Sequence, residues 1–152
     1  MPKEQPREFV IELSGWKFDY SFWVEPKKRH DYSGPYFDFL NVDLTGPIVV
    51  PKAPRFAVAK ITVGHHDLYG VENETKDPYP IIGHVHFKKP ILEGRFAVPH
   101  RMISLLIHPM DRRATRYLYV HSDPLKRNRA YVRSISFNSE VDLEAYSDPT
   151  VR

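Results

Sequence analysis

The chain contains no cysteine, which removes several chemistries at once. A disulfide framework, a thiol nucleophile and thiolate metal ligation are all excluded. Glycine is scarce, at 7 of 152 residues, and there is no Gly-x-Gly-x-x-Gly or phosphate-loop pattern to cradle a nucleotide. His-Glu-x-x-His and Gly-x-Ser-x-Gly are missing as well, so no motif supports an enzyme. No apolar run approaches the roughly 20 residues of a membrane-spanning helix. The first residues, Met1-Pro2-Lys3-Glu4-Gln5-Pro6-Arg7-Glu8, carry no apolar leader, so a cytoplasmic protein that avoids membranes is expected.

Proline, by contrast, is abundant: 14 residues, mostly falling between apolar runs, leave little room for long helices. The runs alternate apolar and polar residues with the period of two that marks a half-buried strand. Phe9, Ile11 and Leu13 form one such set. Trp16, Phe18, Tyr20, Phe22 and Val24 form the clearest, opposite Lys17, Asp19, Ser21 and Glu25, with Gly15 as a bend between the two. This aromatic ridge is expected to face the core. Between Tyr36 and Leu44 the phase changes, and a bulge near Phe39–Leu40 would turn Phe37 and Phe39 inward together with Leu40, Val42 and Leu44. Further strands are expected over Arg55–Val63, Ile81–Phe87, Leu92–Val98, Arg101–His108, Thr115–His121 and Tyr131–Phe137. Ser139–Tyr146 fits a capped helix turn and a strand equally well. No linker divides the chain. The pattern predicts one all-β domain over residues 1–152, an antiparallel β-sandwich of jelly-roll-like or immunoglobulin-like outline with eight or nine short strands. Residues 1–7 and 147–152 are expected to be flexible ends.

Charge is distributed unevenly. Residues 1–100 balance 13 basic against 13 acidic side chains, whereas residues 101–133 hold Arg101, Arg112, Arg113, Arg116, Lys126, Arg127, Arg129 and Arg133 against only Asp111 and Asp123. The acidic residues of 139–152 would offset this segment if they folded back over it. Pairing of the strands on either side of residues 122–130 would place Tyr117, Tyr119 and His121 on one face, near Tyr131 and Arg133. Rings interleaved with guanidinium groups are what an anionic ligand or a single-stranded nucleic acid requires. Arg112, Arg113, Arg116, Tyr117, Tyr119, Arg127, Arg129 and Arg133 are therefore the candidate binding residues, with a solvated hairpin as the plain alternative. Trp23 lies on the polar parity of its strand and is a further candidate, for stacking on a ligand or docking a protein.

Two histidine patterns suggest metal chemistry. His84 and His86, two apart on a strand, project from one face, and neutral imidazoles there suit a divalent metal if Glu93, His100, His108 or His121 supplies further ligands. The alternative is two solvent-facing rings opposite buried Val85 and Phe87. His65-His66-Asp67 with His121 has the residue types of a two-histidine, one-carboxylate iron site, but the same trio is ordinary for a turn between Gly64 and Gly70, which is the reading preferred. The reading that results is a non-catalytic binding or interaction module for a protein or an anionic ligand, using the basic hairpin. The alternatives are a His-x-His metal enzyme and a single-stranded nucleic-acid binder. An exposed edge strand would also support a homodimer.

Overall fold

The structure, a computed structural model, describes residues 7–24, 36–52, 56–65, 81–111 and 115–144. Among these the alternating runs form eight strands: β1 (Glu8–Glu12), β2 (Gly15–Val24), β3 (Tyr36–Val50), β4 (Val58–His65), β5 (Gly83–Lys88), β6 (Ile91–Val98), β7 (Tyr117–Ser122) and β8 (Arg129–Asn138). One helix, α1 (His100–Asp111), separates β6 from β7. No helix among the described residues is long and apolar enough to cross a membrane.

The all-β expectation holds, but the sandwich does not. Seven strands close on themselves in the order β1-β7-β8-β5-β6-β4-β3 and back to β1, forming a barrel, and β2 hangs outside it on β3. All neighbours are antiparallel except β4 and β6, which are parallel. Closure depends on the length of β3. Its first part pairs with β2 from Tyr36↔Val24 to Thr45↔Gly15, and its last residues pair with β1 through Ile48↔Ile11 and Val50↔Val10. The chain kinks between β1 and β2. The Leu13 N–H donates to the Arg116 carbonyl on one side and the Ser14 N–H to the Thr45 carbonyl on the other. Gly46 sits at this crossing, where an added Cβ would lie 1.8 Å from the Glu12 carbonyl oxygen.

Inward-facing residues fill the barrel. Ile11, Leu44, Ile61, Leu92, Leu118 and Val120 are almost wholly buried. Phe56 packs between Phe9 and Phe87 with ring centroids 5.5 and 4.6 Å away. The helix adds Ile103 to this core, with Leu106 and Ile107 packed against it.

Three strand expectations are corrected. Arg101–His108 is helical rather than extended. Ile103, Leu106 and Ile107 recur at helical spacing on the inner side, while Met102 and Leu105 are exposed. The ridge on β2 is not core. Trp16 is half-buried, but Phe18, Tyr20, Phe22 and Val24 are 49, 53, 64 and 57% exposed, because β2 is no stave of the barrel and, among the described strands, pairs with β3 alone. No bulge interrupts β3 near Phe39–Leu40. Leu40, Val42 and Leu44 face the core and Phe39 faces out. The register shifts lie instead at Val10/Ile11 and at His121/Ser122. Of Ser139–Tyr146, open to a helix turn and a strand alike, the described residues 139–144 form no strand, and Asp142 Oδ1 accepts the Glu144 N–H at 3.0 Å. The expected flexible ends, apart from Arg7, lie outside the described residues.

Candidate functional site

The β7–β8 connection is built to hold a fixed shape. After β7, Leu125 is buried in the core and anchors the loop from below. The chain reverses at Arg127-Asn128, both with positive φ (51° and 65°), closed by reciprocal N–H···O=C bonds of 2.8 and 3.0 Å between Lys126 and Arg129. This is the two-residue hairpin turn whose backbone favours glycine or asparagine, so Arg127 occupies it against its steric preference. The Asn128 carbonyl accepts the Phe87 N–H at 2.7 Å, fastening the turn to β5. At the start of β8 the register slips and Arg133 becomes the extra residue between the pairs His121↔Ser134 and Ser122↔Val132. Its guanidinium turns back onto Asp123, with Nε–Oδ1 at 3.1 Å and Nη2–Oδ2 at 2.7 Å. This two-point ion pair clamps the base of the hairpin.

Between that loop and the β5–β8 surface lies an open groove of about 630 Å³, lined by His84, Asp123, Pro124, Lys126, Arg129, Ala130 and Tyr131. The sheet register places His84 opposite Tyr131, and His86 opposite Arg129. On the other side of β5, His84 faces Arg95 and His86 faces Glu93. Among the described residues, no carboxylate lies within 4.0 Å of the Lys126 ammonium or the Arg129 guanidinium. The one carboxylate in the lining, Asp123, is held by Arg133. The groove therefore presents two cations beside a phenol and an imidazole, an arrangement that suits an anion carrying a planar group.

The candidate residues from the sequence divide between separate places. Arg127, Arg129 and Arg133 belong to the groove or its support. Arg116, Tyr117 and Tyr119 lie on β7 and the residue before it, at the far end of the hairpin, a strand length of about 17 Å away. There Arg116 lies over the Tyr117 ring at 5.6 Å and 4.0 Å from Glu12. The Tyr119 hydroxyl donates to the Glu140 carbonyl at 3.5 Å. Burial raises the Tyr119 phenol above its ordinary pKa, and the charges of Glu8, Tyr117 and Asp142 push the same way. Residues 140–142 thus run beside β7 rather than over the groove. Arg112 and Arg113 lie outside the described residues. Trp23 is on β2, opposite Phe37 and remote from the groove in strand order.

His84 and His86 do share an outer face, yet no group of three His, Asp or Glu side chains with metal-ligand geometry exists among the described residues. Glu93 meets Lys88 at 3.0 Å, and that hydrogen bond holds its carboxyl below the ordinary range. His65 is committed locally. Its Nδ1 lies 3.1 Å from the Leu40 nitrogen and 3.4 Å from the Leu40 carbonyl oxygen, and its Nε2 lies 3.5 Å from Asp38. His66 and Asp67 lie outside the described residues, and His121 is on β7, three strands around the barrel from β4.

The sequence reading left Asp123, Pro124, Lys126, Ala130 and Tyr131 out of the candidate residues, although it placed Lys126 in the basic segment and Tyr131 near it, and assigned His84 to a metal rather than to a groove. The polar loop over 122–130 signalled the turn, but the pairing of β5 with β8 has no local signal. Comparison with known protein families, with characterised proteins and with solved structures finds no match.

Proposed function

We propose that the chain is a non-catalytic binding module whose β5–β8 groove takes an anionic ligand bearing a flat ring. The observation that carries this reading is the pair of cations, Lys126 and Arg129, without carboxylate partners among the described residues, beside Tyr131 and His84 in a groove of ligand size. Tyr131, 40% exposed, offers a ring face. Lys126 and Arg129 supply charge, with Arg129 able to grip two oxygens of a phosphate or carboxylate at once. Asp123 and Arg133 act as positioning residues for the turn. No group in the groove is placed as a nucleophile or acid–base pair in this reading.

The test is equilibrium binding of adenosine monophosphate, inorganic phosphate and a labelled oligothymidylate, compared between the native protein and Lys126→Glu/Arg129→Glu. The reading expects saturable binding of the ring-bearing anion, weaker binding of phosphate alone, and at least a roughly tenfold loss in the variant. If the oligothymidylate alone binds, with affinity falling steeply in salt, the ligand is single-stranded nucleic acid rather than a small anion. Equal binding by the native protein and the variant would overturn the reading.

A further inference from the structure

The groove wall ends at His84, but the sheet continues past it. On the side of β5 away from Tyr131, His84 faces Arg95 of β6. Tyr131, His84 and Arg95 are all exposed and form one row across three neighbouring strands. The Cα of Arg95 therefore lies two strand spacings, about 10 Å, from that of Tyr131. Among the described residues, no carboxylate lies within 4.0 Å of the Arg95 guanidinium. The acids at neighbouring positions are engaged elsewhere. Glu93, two residues back on the same face, meets Lys88 at 3.0 Å. Asp43, two strands beyond, accepts the Thr62 hydroxyl at 2.8 Å and lies 3.9 Å from Lys17. The Tyr131 ring thus has cations on two sides: Lys126 and Arg129 at the turn, and Arg95 across His84.

A ligand with a single anion uses only the first pair. We propose that the ligand carries an anion on each side of its ring-bearing unit, as a nucleoside phosphorylated at both its 3′ and 5′ oxygens does. This assignment rests on the groove reading and narrows its ligand class. Lys126 and Arg129 hold one phosphate, the base lies on Tyr131, and Arg95 grips two oxygens of the second phosphate. His84, between the two cation sites, offers its ring nitrogens to the sugar. Such a unit occurs as a free nucleoside bisphosphate and as an internal residue of a single strand, and both present the same chemistry to these side chains.

The test compares the native protein with Arg95→Gln and Arg95→Lys in equilibrium binding of three probes: adenosine 5′-monophosphate, adenosine 3′,5′-bisphosphate and an adenylate trimer. The bisphosphate should bind the native protein roughly tenfold tighter than the monophosphate. Arg95→Gln should remove that advantage and leave the monophosphate unchanged, whereas Arg95→Lys should keep part of it. Because Arg95 is exposed, both variants should unfold at the native denaturation midpoint. A trimer that binds at least as tightly as the bisphosphate, with the same loss in Arg95→Gln, assigns the unit to a single strand. A trimer that binds more weakly assigns it to the free bisphosphate. If the monophosphate binds and the second phosphate adds nothing, or its gain survives Arg95→Gln, Arg95 is no part of the site and the groove reading stands without it. Absence of binding by all three probes would contradict the groove reading itself, and this assignment with it.

Discussion

Gly46 and Arg127 show how single backbone positions set this structure. At Gly46 the β3 backbone passes the Glu12 carbonyl so closely that no side chain fits. Gly46→Ala forces that contact apart and should destabilise the protein by about 1–3 kcal/mol, measured by urea denaturation. Arg127 is the opposite case, a bulky residue held at φ 51° in a turn suited to asparagine. Arg127→Asn should stabilise the fold by about 1 kcal/mol. Tyr119 makes stability depend on pH. Its folded-state pKa is raised, so its contribution is complete below the ordinary value near 10 and is lost as pH rises through the folded value. The denaturation midpoint should therefore fall above pH 10 in the native protein, and less steeply in Tyr119→Phe.

At the scale of elements, the helix was the feature least legible in the sequence. The segment Met102-Ile103-Ser104-Leu105-Leu106-Ile107 satisfies a strand and a helix alike, because short apolar runs fit both periods. The structure separates the two readings by burial. Ile103 is fully buried and Leu105 is 68% exposed, although a strand would set both on one face. Ile103→Ala should cost about 2–4 kcal/mol and Leu105→Ala less than about 0.5. Equal costs would point to the extended form. Most strands were legible, because Leu92, Phe96 and Val98, for example, fall on one parity, with Glu93 and Arg95 on the other, and are buried as the period requires. The basic hairpin was legible as a turn between strands. Its groove was not, because the partner of Tyr131 is His84, 47 positions earlier in the chain, and nothing in either local pattern specifies that register.

For the whole molecule, alternation indicates which side of a strand is buried, but not whether two layers face each other or one sheet closes. The aromatic ridge from Trp16 to Val24 has the pattern of a core strand, yet the neighbour exchange on β3 leaves most of it outside. The closed strand order that this exchange allows also sets β5 beside β8, and the groove reading depends on it. Residue-resolved hydrogen exchange by NMR tests it most directly. The Leu13 N–H points to Arg116 beside β7, so strand alternation turns the Val10 N–H toward β3. The closed barrel predicts that the amides of Phe9, Val10 and Ile11 all exchange slowly. Fast exchange at Val10 between two slow neighbours would mean that β1 is an open edge and the barrel does not close.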